Sequence, residues 1–340
     1  MNVVRLRVQS CCLIAVSLVA TFSATAQDKK IATAGLSQEF VDAIRQAATC
    51  ATVVAVPRGS LAEVVQDADA VIGDMTPADF RAAKKLKWLQ INNAGTDRYR
   101  YPEFVSSDVV LTNGKIIQGP NIADHAFALL LALTRGMYVV IPQRVNEQVR
   151  RGSFEPIELR GKTAVIIGVG GIGMQIAQRA HGFDMKVIGV DPKDIPLSPY
   201  ISKMVYPDRL DTVLPEADVV FVAAPWTPET NGMMGPRQFE LLKKGTYFIG
   251  MSRGKIFNTD ALVKALDSRR LAGAGMDVTD PEPLPKGHPL WKFENVIITP
   301  HYAGGSDNVD KRRIEMFKEN VGRFCRGEQL INVVDKKKGY

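Results

Sequence analysis

Three residues suited to proton and anion chemistry stand just past the ends of short apolar runs in the C-terminal half. Arg253 follows Thr246–Ile249 within Met251-Ser252-Arg253-Gly254, Glu282 follows Ala274–Asp277 in a proline-rich loop, and His301 follows Val296–Thr299. A guanidinium presents a planar fork of donors to an anion. An imidazole exchanges a proton near neutral pH, and a carboxylate on its second ring nitrogen would fix the tautomer. Singly, each has a plainer reading: a surface arginine, a loop glutamate, a turn-capping histidine. Jointly, at successive strand ends, they suit a hydride-transfer site, because ligands of open α/β sheets bind beyond the carboxyl ends of the strands.

A second constellation precedes them. The apolar run Thr163–Ile167 leads straight into Gly168-Val169-Gly170-Gly171-Ile172-Gly173 and then into a helical stretch, Met174–Arg179. In Gly-x-Gly-x-x-Gly the first glycine makes the tight turn. The second lets backbone approach a pyrophosphate, and the third lets helix and strand pack closely. The helix N-terminus adds free N–H groups and the positive end of its dipole. Three glycines alone could be an ordinary turn. Here the next strand, Lys186–Val190, ends in Asp191, a carboxylate placed to accept both adenosine ribose hydroxyls and to repel a 2′-phosphate. The reading is an NAD site, with Lys193 close enough to soften the preference over NADP.

Positioning these residues requires parallel sheets. Candidate strands Lys30–Thr33, Thr52–Val56, Ala70–Gly73, Trp88–Asn92 and Val109–Thr112 alternate with helical patterns at Glu39–Ala47 and Pro77–Lys84. A second series comprises Thr163–Ile167, Lys186–Val190, Asp218–Ala223, Thr246–Ile249, Ala274–Asp277 and Val296–Thr299. Such alternation predicts an α/β protein with crossover helices. Between the series lies Asn121–Arg135, whose unbroken apolar run Ala126–Leu133 is too short to span a bilayer and too apolar for a solvated helix. It reads as buried between domains or subunits, and a lone monomer is expected to struggle to cover it. Val309–Phe324 reads as an amphipathic helix, followed by a lysine-rich end expected to fray.

The chain resembles the D-isomer-specific 2-hydroxyacid dehydrogenases. The resemblance is dense from Leu159-Arg160-Gly161-Lys162 to Asp191-Pro192, from Ala217-Asp218-Val219-Val220 to Pro225-Trp226-Thr227-Pro228-Glu229-Thr230, and from Arg253-Gly254 to Thr299-Pro300-His301. It implies two doubly wound parallel-sheet domains, a Rossmann-like cofactor domain inserted into a flavodoxin-like substrate domain. On that scheme residues 27–118 and the C-terminal segment 306–340 form the substrate domain, and 119–305 form the NAD-binding domain. The resemblance makes Arg253, Glu282 and His301 catalytic and places Ala224, Pro225 and Asp277 at the cofactor. For Asp277 a strand-end cap is the structural alternative. It likens the Asn93-Ala94-Gly95-Thr96 loop, through Ala94 and Gly95, to the family's carboxylate cradle, and it implies a homodimer. Gly250 stands where Asn is usual, Trp226 replaces an aliphatic residue, and Asp124-His125 replaces Ala-Glu. Asp184 replaces a helix-ending glycine, in a geometry that Asp tolerates better than most residues.

Hydrophobic residues at 46% and charged residues at 23% exclude a wholly disordered chain, a collagen and a polytopic membrane protein. The net charge of +7 reads as a solvated surface, since no nucleic-acid-binding signature accompanies it. Arg5 and Arg7, an apolar stretch from Cys11 to Ala20, and Ala24-Thr25-Ala26 read as a signal peptide cut before Gln27. Export to the periplasm is therefore expected, a cytoplasmic location being the alternative. Cys11 and Cys12 would leave with that peptide; Cys50 and Cys325 could pair in an oxidising compartment, although spacing alone does not show that they meet. No metal-ligand spacing is present, and no metal is expected. Two other functions compete: a nicotinamide-sensing regulator on the same scaffold, and an exported solute-binding protein, which leaves the glycine motif unexplained.

Overall fold

The computed structural model of the protein describes residues 29–148, 150–196 and 198–340. The signal-peptide expectation, residues 1–26, lies outside the described residues. The first sheet contains β1 (Lys29–Ala34), β2 (Ala51–Val56), β3 (Ala70–Gly73), β4 (Trp88–Gln90) and β5 (Val110–Thr112). Its order, β2-β1-β3-β4-β5, is all-parallel and flavodoxin-like. The second contains β6 (Thr163–Ile167), β7 (Lys186–Val190), β8 (Lys203–Val205), β9 (Val219–Val222), β10 (Thr246–Gly250), β11 (Leu271–Met276) and β12 (Val296–Ile298). Its order, β12-β11-β10-β9-β6-β7-β8, is the doubly wound Rossmann order with one strand added at the far edge. The strand order reverses at β6, which pairs with β7 on one side and β9 on the other.

The helices are α1 (Gln38–Ala47), α2 (Pro77–Ala82), α3 (Pro102–Val105), α4 (Gly119–Thr134), α5 (Met137–Gln143), α6 (Gly171–Gly182), α7 (Leu210–Val213), α8 (Pro236–Leu241), α9 (Thr259–Asp267) and α10 (Val309–Arg326). The α6 helix ends on Asp184 at φ +56°, the left-handed geometry its sequence position requires. α4 corrects one expectation. Most of its apolar run is covered within the chain: Ala126, Phe127, Leu129, Leu130 and Leu133 are buried against α6 and the second sheet, Leu131 and Ala132 are half-buried, and Ala128 is exposed. The small residues of β11 permit this approach. A Cβ at Gly275 would lie 2.8 Å from Leu129 Cβ, and one at Gly273 would lie 3.1 Å from Leu133 Cδ2. The exposed apolar side chains lie further on, at Met137, Ile141 and Val145. Among the described residues no single helix is long and apolar enough to cross a membrane.

α10 returns to the first sheet and buries Val309, Met316, Phe317 and Val321, with the Phe317 ring 6.0 Å from that of Phe40 on α1. Cys325 on α10 and Cys50 before β2 form a disulfide with Cα atoms 5.3 Å apart, across a sequence separation of 275 residues. Cross-linking so long a loop restricts the unfolded chain. Cys50→Ser should therefore cost about 2–5 kcal/mol of stability, read as a lower guanidinium midpoint. Reductant should lower the wild-type midpoint equally and leave the variant's unchanged. The lysine-rich end, expected to fray, is docked instead. Val334 is buried in the first-sheet core, and the Lys336 ammonium donates to the carbonyls of Phe104, Ser107 and Val109.

Candidate active site

The glycine-rich turn sits where the strand order reverses. Gly168, at φ +87°, passes so close to the end of β9 that a Cβ would lie 2.5 Å from Ala224 Cα. A Cβ on Gly173 would stand 1.9 Å from Gly168 O, so helix and turn pack backbone to backbone. Gly170 is the opposite case: a Cβ there would meet no atom within 4 Å, and this open side is where a pyrophosphate would approach. The first turn of α6 carries no acidic residue and no side-chain cap, so its N–H groups remain available to an anion. Gly171 approaches Ile116, and Ile172 packs on the core beneath. Asp191 closes the turn from the end of β7. Its Oδ2 accepts the Val169 N–H at 2.8 Å and its Oδ1 accepts the Lys193 N–H at 2.9 Å. The open Gly170 face, the uncapped helix end and the anchored carboxylate together fit a dinucleotide. Pro225, next to Ala224, is exposed, and its carbonyl accepts the Thr230 hydroxyl at 2.7 Å.

The structure brings His301 and Glu282 together. His301 Nδ1 lies 2.7 Å from Glu282 Oε1, both side chains being about two-fifths exposed. Among the described residues, His301 Nε2 has no hydrogen-bond partner. His301 adopts φ +53°, a left-handed conformation uncommon for a side chain of this size, and such backbone is held only where the surroundings impose it. Asp277 supplies that hold. Buried at the end of β11, it accepts the Thr299 hydroxyl at 2.6 Å and the Tyr302 N–H at 3.1 Å on Oδ1, and the Ala303 N–H at 2.9 Å on Oδ2. Three donors from the turn that bears His301 thus converge on this carboxylate, which makes Asp277 a strand-end cap for that turn. His125 joins the same assembly, 2.9 Å from the Thr299 hydroxyl.

Arg253 is reached from the first domain. Gly95 lies against it so closely that a Cβ would stand 2.0 Å from Nη2. Asp97, two residues further along the same loop, accepts from Nε at 2.9 Å, and Nη2 lies 2.9 Å from the same Oδ2 as an ion pair. Nη1 donates to the Ser252 carbonyl at 2.8 Å. A guanidinium carries five N–H donors. Nε and one Nη1 hydrogen are engaged, which leaves three for an incoming carboxylate. Asp97 had no signal among the apolar runs; its only cue is an acid two places after Gly95 in the proposed carboxylate loop. Ala94 is tied down through its carbonyl, which accepts the Asn113 side-chain N–H at 2.7 Å. Gly254 brings the arginine loop against the glutamate loop, because a Cβ there would be 2.1 Å from Thr279 C. The departures at Gly250 and Trp226 are accommodated locally. Gly250 lies under the Phe257 ring, and Trp226 donates to Asn231 at 2.9 Å with the Lys255 ammonium 4.6 Å from its ring centroid.

Comparison with known proteins agrees with this geometry. A family profile described as D-isomer specific 2-hydroxyacid dehydrogenase, NAD binding domain, matches residues 127–303. The glyoxylate reductase of Korarchaeum cryptofilum (strain OPF8) is 35% identical over 285 residues, covering 81% of this chain and 85% of that protein. Among solved structures, a D-isomer specific 2-hydroxyacid dehydrogenase family protein from Aeromonas salmonicida superposes with a TM-score of 0.74 at 28% identity, covering 91% of this chain and 99% of that one. A D-isomer specific 2-hydroxyacid dehydrogenase from Xanthobacter autotrophicus Py2, in complex with NADPH and MES, reaches a TM-score of 0.80 at 24% identity, covering 92% and 99%; it shares the fold.

Proposed function

The chain belongs to the D-isomer-specific 2-hydroxyacid dehydrogenase family, and from that premise we propose that it interconverts a 2-oxo acid and its 2-hydroxy acid with NADH and NAD⁺. The observation that carries the reading is the Glu282–His301 pair, with imidazole Nε2 free, beyond the same carboxyl ends of the parallel strands as the glycine turn and Arg253. When bound, the nicotinamide supplies or accepts the hydride. Arg253, held in orientation by Asp97, receives the substrate carboxylate on its remaining N–H groups, and the Asn93–Thr96 backbone backs the same group. His301 Nε2 gives a proton to the carbonyl oxygen during reduction and takes the hydroxyl proton during oxidation. Glu282 fixes the tautomer in which Nδ1 bears hydrogen. Asp191 supports NAD over NADP by placing negative charge where a 2′-phosphate would lie.

NADH oxidation against glyoxylate, hydroxypyruvate, pyruvate and bulkier 2-oxo acids tests the proposal. Turnover with at least one is expected, with higher kcat/KM for NADH than for NADPH. NADH binding without turnover on any of them would favour the sensing alternative, and equal or better efficiency with NADPH would contradict the role of Asp191.

Two further readings belong here. The Cys50–Cys325 disulfide supports export, since such bonds persist in oxidising compartments. Fractionation with N-terminal sequencing should find Gln27 first in a periplasmic protein; an intact Met1 in the cytoplasm would overturn it. A homodimer is supported by the exposed apolar side chains of Met137, Ile141 and Val145, which a second copy would cover. Sedimentation at micromolar concentration showing only monomer would count against it.

A further inference from the structure

The segment after α10 crosses from the first domain to the edge of the proposed ribose site. Its path is fixed by side-chain and backbone contacts: Val334 N–H donates to the Leu111 carbonyl at 2.9 Å, Gly339 N–H donates to the Asp335 carbonyl at 2.7 Å, and the Thr96 hydroxyl donates to the Gly339 carbonyl at 2.6 Å. Tyr340 is thereby delivered beside Lys193, whose ammonium sits 4.3 Å from the centroid of its ring. Lys193 springs from the turn that Asp191 closes, since its own N–H donates to that carboxylate. It is therefore a cation rooted where a 2′-phosphate on the adenosine ribose would fall. Burial and the neighbouring carboxylates of Asp191, Glu229 and Asp335 push the Tyr340 phenol up, which places this ring on the acidic rim of the same site.

We propose that Tyr340 is a specificity-determining residue of the cofactor site, holding Lys193 on its ring and so keeping that ammonium from serving a 2′-phosphate. Asp191 repels the phosphate, and Tyr340 occupies the cation that could offset the repulsion. The discrimination thus comes from two domains at once, because Tyr340 is carried by the first domain and Lys193 by the second. The inference rests on the reading of Asp191 as the ribose-binding carboxylate.

Fluorescence titration of the full chain with NADH and with NADPH tests it, the quantity read being the ratio of the two dissociation constants. A cation–π contact of this kind is modest, so Tyr340→Ala should lower the NADPH-to-NADH ratio by about two- to fivefold. Tyr340→Phe, which keeps the ring, should leave the wild-type ratio, and adding Lys193→Ala to Tyr340→Ala should abolish the gain. A ratio unmoved by Tyr340→Ala in a protein that binds NADH would overturn the proposal and leave the cofactor reading intact. Weaker NADH binding in Tyr340→Ala with no gain for NADPH would also overturn it, the ring then serving as a stacking surface. Wild-type protein that binds neither nucleotide would overturn the cofactor reading and this proposal with it.

Discussion

His301→Ala is expected to lower turnover with the best 2-oxo acid by about 10²- to 10⁴-fold, the span of a lost general acid–base group. Binding of NADH should survive. The glycine turn and Asp191 lie at the ends of β6 and β7, whereas His301 follows the edge strand β12, four places from β6 in the sheet. The fold should survive as well. His301 and Glu282 are each about two-fifths exposed, so removing the ring does not strand a buried charge, and Glu282 keeps a contact with the Thr279 N–H at 3.4 Å. The effect should therefore fall on kcat. A turn-capping histidine would behave otherwise: its loss would lower stability and leave the chemistry of the surviving folded protein untouched. Glu282→Gln retains the shape of the pair and removes its charge. The ring then loses the charged partner that orients it, so kcat should fall in both directions while NADH binding is kept.

Arg253→Leu is expected to lower kcat/KM by about 10²- to 10³-fold, as when one partner of a desolvated charge pair is removed. The loss should appear mainly in KM, because in the proposed mechanism the guanidinium holds the substrate carboxylate through the whole reaction. Arg253→Lys should rescue little: an ammonium restores charge but not the fork that contacts Asp97, the Ser252 carbonyl and substrate together. Asp97→Asn distinguishes substrate binding from orientation. It leaves the arginine in place and loosens its hold, so KM should rise by less than in Arg253→Leu, with kcat nearly unchanged. A rise in KM for NADH instead of the 2-oxo acid in Arg253→Leu would contradict the assignment.

Much of this framework was legible in the residue pattern, and the failures have identifiable causes. Ala70–Gly73, Thr163–Ile167 and Lys186–Val190 form strands with the bounds read from the sequence, since apolar runs flanked by polar or turn residues leave little choice. Lys203–Val205 was missed: a three-residue edge strand carries no run to read. β11 begins at Leu271, earlier than expected, because Leu-Ala-Gly-Ala-Gly-Met lacks the β-branched residues that mark strands. Those small residues are needed there to admit α4, a requirement set by tertiary packing. The same packing covers most of the α4 run that seemed to demand a partner. Asp97 was invisible for a different reason: its significance lies in an arginine 156 residues away. The terminal lysines looked solvated by composition, yet Lys336 spends its donors on three carbonyls of the first domain. For Asp277 the sequence offered a cofactor role and a strand-end cap, and the cap shows only once three donors from the turn of His301 are placed on its carboxylate.

The central claim is hydride transfer to the carbon beside a carboxylate, and its most direct test follows the atom itself. NADH deuterated at the transferable C4 position would be incubated with glyoxylate or hydroxypyruvate and the purified protein, and the hydroxy acid analysed by mass spectrometry. The account predicts one deuterium at C2 of the product, formed in step with NADH consumption and diminished in His301→Ala along with the rate. No hydroxy acid from any 2-oxo acid tried, or a product lacking deuterium at C2, would contradict it.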